Sequence, residues 1–347
     1  MTPPPHNHAR LFEGGGVKPD LSLLKAVLSL PTAPFHEEWV ADFIKSFCRK
    51  LRLRCLEDSF GNLKVIYKRG PSKASAFTAH MDHPGFEVIH GGKKPVVRLL
   101  GGVPDHYFLK AKVILWDAEG SVKGRVAKIV NKKKREFVVH AQREMPKGAF
   151  GYFDLHGFRL QGGLIQTKAV DNVMSVAILL NLLKILKRKK VRAHVVCLFT
   201  RAEEVGFVGA AHLVRKNFLS KKIPTVVLES SSIKSGGVVI GGGPVLRVGD
   251  RYSTFSPAMD LWLRKAAEKL KNKKRSFQYQ RALMQGGRCE ASFYVEKGYT
   301  VGCLVFPLGN YHNIGPKSYA VEYISLKDYA GMLEWIFFLV SLKNIAR

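Results

Sequence analysis

Apolar residues recur at helical spacing near the start of the chain, first in "LSLLKAVLSL" from Leu21 and then in "PTAPFHEEWVADFIKSFCRKL", where Trp39, Val40, Phe43, Ile44 and Phe47 fall on one face. Two apolar segments bounded by turns, "NLKVIYK" and "SKASAFTAH", follow and predict strands, the second ending at His80. From about Ile89 to Gly163 the helical period disappears. Short β-rich pieces ("KPVVRLL", "AKVILWD", "GSVKGRVAKIV", "REFVVHA", "FRLQGGLIQT") alternate there with Gly, Asp and Lys turns, which predicts a small all-β insert. Helix and strand then alternate again: "VMSVAILLNLLKILKRK", "AHVVCLFT", "VGAAHLVRKNFL", "PTVVLES", and a closing helix from about Leu326 to Leu342. The pattern predicts one α/β unit, a sheet covered by helices on both faces, built from residues 1–88 and 164–347 and interrupted by a β module over 89–163. Residues 1–20 lack a hydrophobic signal region and read as a disordered tail.

Composition narrows the class. With 46% hydrophobic residues over 347 positions the chain can bury a sizeable core, and no run of eighteen apolar residues offers a membrane span. The five cysteines (Cys48, Cys55, Cys197, Cys289, Cys303) show no CxxC spacing, so a disulfide framework or zinc knuckle is not indicated and a reducing cytoplasm fits. The formal charge of +29 would suit a nucleic-acid or anionic-membrane partner. Its basic runs ("KRKK", "NKKKR", "KNKKR") are scattered and lack interleaved aromatics, so solvated surface is the preferred reading.

Open α/β sheets bind ligands beyond the carboxyl ends of their strands, which makes the residues there the candidates for chemistry. "ASAFTAH" ends in His80, "AHVVCLFTRAEE" in Glu203 and Glu204, "PTVVLE" in Glu229, and "TVGCLVFPLGNYH" in His312, while Asp171 heads the long helix. Singly, each has a plain structural reading: a solvated histidine, a helix cap, a charged first turn. Together they supply two imidazoles and several carboxylates to one sheet edge, a donor set that suits Zn²⁺ and also Co²⁺ or Mn²⁺. Two divalent ions about 3.5–4 Å apart need a bridging carboxylate, for which Asp171 is the candidate. Neighbouring side chains on extended backbone diverge, so one of the pair Glu203-Glu204 can bind metal while the other reaches the water. Asp82, two residues after His80, is placed to accept the imidazole N–H and fix its tautomer. His83 has no assigned role.

With these residues in place the chain resembles the TET-type dinuclear metalloaminopeptidases, the glutamyl and deblocking aminopeptidases of the co-catalytic zinc peptidase group. The matching segments, in family order, are "AHMDHPGFEV", "KAVDNVMSVAILL", "LFTRAEEVGFVGAAHL", "VVLESSS", "GGGPVLRVGD" and "PLGNYHN". The resemblance implies a zinc aminopeptidase-like fold, a mixed sheet flanked by helices with a small β-barrel-like insert. It implies His80 and Glu229 on one metal, Glu204 and His312 on the other, Asp171 bridging, and Glu203 as general base for attack of a metal-held hydroxide on N-terminal peptide bonds. It also implies peptide substrates, dimers and a dodecameric assembly, with no membrane partner. Glu229 stands where that family usually has Asp, and "GGRCEAS" replaces its Gly-Gly-Thr-Asp run, leaving Glu290 outside the core site. The alternative readings are a deacylase, dipeptidase or carboxypeptidase of the lid-bearing relatives, and a non-catalytic basic nucleic-acid binder. The lid-bearing relatives carry their extra domain between the fourth and last ligands, whereas here the long insertion lies between His80 and Asp171.

Overall fold

The computed structural model of the chain describes residues 17–342. Helices α1 (Leu21–Leu28) and α2 (Glu38–Lys50) lead into strands β1 (Arg54–Glu57), β2 (Leu63–Lys68) and β3 (Ala74–His80). A closed barrel follows, formed by β4 (Gly85–His90), β5 (Val96–Leu100), β6 (Lys112–Asp117), β7 (Gly120–Asn131), β8 (Glu136–Ala141) and β9 (Phe150–Phe153), with the short helix α3 (Asp105–Phe108) after β5. The chain returns through β10 (Arg159–Gln161), β11 (Leu164–Thr167), α4 (Val173–Lys189), β12 (His194–Thr200), α5 (Val208–Arg215) and β13 (Thr225–Ser232). It closes with β14 (Val245–Gly249), α6 (Pro257–Lys273), β15 (Gln280–Leu283), α7 (Glu290–Glu296), β16 (Val301–Leu308), β17 (Glu322–Ser325) and α8 (Leu326–Ser341).

Eight strands form the main sheet in the order β1-β2-β12-β3-β13-β16-β14-β15. Its centre is parallel: β12 and β13 flank β3, and β16 joins β13. β2 runs antiparallel to both β1 and β12, and β14 runs antiparallel to β16 but parallel to β15, so the sheet is mixed. Central strands such as "HVVCLFT" and "VGCLVFPL" are apolar on both faces because helices cover both sides, with α1, α4, α6 and α8 contributing to one core and α5 and α7 to the other. Helix α4 is buried almost all round and anchors the first core. Its partner α1 is started by Asp20, whose carboxylate accepts the Leu23 N–H at 3.0 Å.

The barrel has its own core of Phe86, Phe108, Phe137 and Phe153 and begins at Gly85, earlier than the alternation suggested. A side chain at Gly85 would meet the Gly151 carbonyl at 2.6 Å and Ala33 Cβ at 2.7 Å, so the exit from β3 passes through a gap that admits only glycine. β10 and β11 read like barrel strands but form a separate three-stranded sheet in which β11 pairs with both β10 and β17. Alternation marks a strand and not its partner. Of the expected N-terminal tail, residues 1–16 lie outside the described residues, while Val17 is buried and Asp20 caps a helix. Among the described residues no helix is long and apolar enough to cross a membrane.

Candidate metal centre

Parallel strands deliver the first side chains. His80 is the last residue of β3, and Thr200 at the end of β12 pairs with it, so the turn after β12 brings Glu203 and Glu204 to the same edge. Asp82 pins that turn, its Oδ1 accepting the Glu203 N–H and its Oδ2 the Glu204 N–H, each at 3.0 Å. Ala202, at φ 52°, donates its N–H to Glu37 Oε1 at 2.8 Å. Glu37 is fully buried; burial, with the Asp82 charge adding to it, pushes its carboxyl up to about 7 against the pull of Arg201.

The remaining residues arrive differently from the sequence expectation. Glu229 lies within β13, which runs on to Ser232 because β16 pairs beside it as far as Leu308. Asp171 precedes α4 without capping it, since Asn172 holds the cap position. His312 sits past the end of β16 in a turn with φ 56°. One residue the sequence did not mark, buried Glu322 of β17, ties two of these segments together. Its Oε1 accepts the His312 N–H at 2.7 Å, and its Oε2 accepts those of Val170 at 2.6 Å and Asp171 at 3.0 Å. His83, unassigned from sequence, lies between the Asp171 carbonyl and Asn313 Oδ1, the latter at 2.9 Å from Nε2. Gly102, on the barrel side, brings its carbonyl to 3.3 Å from His312 Nδ1, and a Cβ there would stand 2.9 Å from that nitrogen.

The side chains converge. His80 Nε2 is 3.5 Å from Asp171 Oδ1, 3.5 Å from Glu229 Oε1 and 3.9 Å from Glu203 Oε2. His312 Nε2 is 3.2 Å from Glu204 Oε1 and 3.6 Å from Asp171 Oδ2. Potential donor atoms of His80, Asp171 and Glu229 lie within 4.8 Å of one another, as do those of Asp171, Glu204 and His312, and those of His80, Glu203 and Glu204. Asp82 Oδ1 is 3.3 Å from His80 Nδ1, although the ring nitrogen is poorly aligned for a hydrogen bond. Glu290, left out of the site on sequence grounds, is buried beneath it and accepts from Thr78 Oγ1 at 3.1 Å; burial pushes its carboxyl up to about 7.

The electrostatics call for cations. Burial raises the carboxyls of Glu203, Glu204 and Glu229, and the neighbouring acids reinforce the effect. Burial would lower His80 and His312 as well, but the carboxylates around them win and push both imidazoles well above their ordinary range. Asp171 shows the reverse balance: burial raises it, and the adjacent imidazoles of His312 and His80 outweigh that and hold it low. Four carboxylates thus face two imidazoles, with Glu203 and Glu204 partly exposed on the cavity side. Asp171 Oδ1, Glu204 Oε1 and Glu229 Oε1 are buried with no hydrogen-bond partner, an expensive condition that a divalent cation would relieve. The donor set of imidazole nitrogens and carboxylate oxygens fits such an ion. These residues line one end of a cavity of about 490 Å³.

A sheet edge that gathers histidines and acids over a substrate-sized cavity defines a metal-dependent hydrolase, and the comparisons specify which. Residues 139–334 match the M42 glutamyl aminopeptidase family, and the chain belongs to it: it is a peptide-bond hydrolase of the aminopeptidase type. A protein of Acetivibrio thermocellus to which aminopeptidase activity is ascribed is 25% identical over 329 residues, covering 88% of this chain and 94% of its own. Among solved structures, a TET aminopeptidase from a marine-sediment thaumarchaeote superposes with a TM-score of 0.80 at 19% identity, covering 94% of this chain and 97% of its own. The TET1 peptidase of Pyrococcus horikoshii gives 0.76 at 23% identity, covering 92% of this chain and 98% of its own. The mixed sheet with its inserted barrel is therefore the TET aminopeptidase fold.

Proposed function

We propose that the chain is a dinuclear aminopeptidase, in which His80 and Glu229 hold one divalent cation, Glu204 and His312 hold the other, and Asp171 is shared. The observation that carries this reading is the position of Asp171, whose Oδ1 faces His80 at 3.5 Å and whose Oδ2 faces His312 at 3.6 Å. Zn²⁺ suits the mixed nitrogen and oxygen set best, with Co²⁺ and Mn²⁺ compatible. Bound there, such a pair of ions acidifies water and polarises the scissile carbonyl. Glu203 stands furthest of the three carboxylates from His80 Nε2, which leaves it free to take a proton from the attacking water and pass it to the leaving amine. Asp82 holds the backbone that carries this base and neighbours the His80 ring.

The test is a chelator-stripped protein titrated with Zn²⁺ and assayed on aminoacyl-anilides alongside their N-acetylated counterparts. Activity should be absent when stripped, recover with saturation at about two ions per chain, and require a free amino group. Saturation at a single ion, or equal hydrolysis of the acetylated series, would overturn the reading.

The proposal extends to organisation: residues 1–88 and 164–347 form the catalytic unit, 89–163 its insert, and the chain works in the cytoplasm as a dimer-based assembly on peptide substrates. Support comes from the Pyrococcus horikoshii relative, which assembles into a tetrahedron or a large octahedral shell, and from five free cysteines that suit a reducing compartment. Light scattering should return a mass many times 38.8 kDa, and a value close to that figure rejects the assembly.

A further inference from the structure

The net charge of +29 has no use in the candidate metal centre, whose own side chains are mostly acidic. Basic runs that are scattered along the chain are gathered in space. Strands β3, β12, β13 and β16 are parallel and point their carboxyl ends at the centre, so the segments that enter them meet at the opposite edge of the sheet. There β2 ends at Lys68, opposite His194, and β1 begins at Arg54, opposite Ile66. Segments 49–54, 68–73, 187–192 and 215–222 enter or leave strands at this edge; each supplies between three and five Lys or Arg and none contains an acid. Cross-contacts hold them together: the Arg69 N–H donates to the Ala193 carbonyl at 2.8 Å, and Lys187 Nζ lies 3.5 Å from the Arg52 carbonyl. A further basic run, at the end of α6, joins them through α8, where Lys189 stands 6.0 Å from the Phe337 ring and Lys273 5.3 Å from that of Phe338.

These charges are exposed and unneutralised. Lys184 of α4 pairs with Asp20 at 2.6 Å, but no Lys or Arg of the four segments has a carboxylate of the described residues within 4.0 Å. None of the exposed large apolar side chains belongs to these segments, so the edge offers neither a wedge for a bilayer nor a platform on which unpaired bases could stack. The strands served, β1, β2, β12, β3 and β13, are consecutive neighbours in the sheet. Their spacing spreads the cations over about 19 Å, a length along which a double helix presents about eleven phosphates. Helices α2, α4 and α5 reach the edge by their C-terminal ends, so none lays a side along it to enter a DNA major groove. A-form RNA is bound instead by shape and backbone. We propose that this edge, remote from the peptidase cavity, docks double-helical RNA through its phosphates without reading its sequence.

The test is fluorescence anisotropy of the full-length, Zn²⁺-loaded protein with a labelled RNA duplex of arbitrary sequence. Binding should show a Kd of about 1–100 µM near physiological salt and weaken about 10³-fold between about 50 and about 200 mM salt. Replacing three cations of α4 together, Lys187→Gln, Arg188→Gln and Lys189→Gln, should weaken binding about tenfold or more and lower the log–log salt slope by about three. Hydrolysis of an aminoacyl-anilide by this variant should be unchanged, which also shows that it folds. The control variant, Lys132→Gln, Lys133→Gln and Lys134→Gln, removes the same charge from the exposed turn between β7 and β8 of the barrel and should bind within about twofold of the parent. No binding at low salt, or equal losses in the two variants, overturns the proposal. So does displacement of the RNA by polyglutamate or phosphatidylserine vesicles at matched charge, or a DNA duplex bound about tenfold more tightly than the RNA. Every readout but the activity control is independent of the peptidase mechanism.

Discussion

Glu203→Gln should lower kcat by about 10³-fold while the protein binds the same number of metal ions as before. The substitution keeps the size and hydrogen-bonding reach of the side chain and removes its ability to accept a proton at neutral pH. The surrounding turn should survive it, because the backbone there is held by Asp82 and Glu37 rather than by the Glu203 side chain. Metal analysis by mass spectrometry separates the two roles open to this residue. Loss of activity with full metal content identifies the base, whereas loss of an ion makes Glu203 a ligand, as its membership of the His80, Glu203 and Glu204 cluster would allow. A variant that retains near-normal turnover moves the proton transfer to another group altogether.

The ease with which different parts of this site can be read from the chain follows from how locally each is encoded. His80 ends an apolar strand and precedes a Pro-Gly turn, so its position at a sheet edge is written in its neighbours. Glu203 and Glu204 follow "HVVCLFT" in the same way. Glu229 is different: only its pairing with β16, a distant strand, extends β13 past it, and the apolar run alone predicts an earlier end. Glu322 left no mark because its work is to accept backbone N–H groups from two other segments, a task any acid in a short strand might have and no spacing advertises. His83 is equally silent, since both partners of its ring, Asp171 and Asn313, lie far along the chain. The same distinction separates the barrel from β10 and β11: both alternate, and only tertiary pairing sends the latter to β17.

Asp171→Asn should have the more severe effect on the centre itself. Asp171 supplies a carboxylate with one oxygen facing each imidazole, and the two histidines hold it ionised in a buried setting where an unpaired acid would take up a proton. The amide keeps one oxygen able to coordinate but loses the negative charge that offsets repulsion between two closely spaced cations. Metal content should therefore fall from about two ions per chain to one or none, and kcat/KM should drop by about 10²-fold or more. The fold offers an internal control, because the backbone N–H groups of Val170 and Asp171 still reach Glu322 and His83 still meets the Asp171 carbonyl. Thermal unfolding of the metal-free variant should consequently stay within about 5 °C of the metal-free parent, while the stabilisation gained on adding Zn²⁺ shrinks because less is bound. Retention of two ions with activity within a few-fold of the parent would remove Asp171 from the shared position and leave two independent sites, each limited to its own histidine and glutamate.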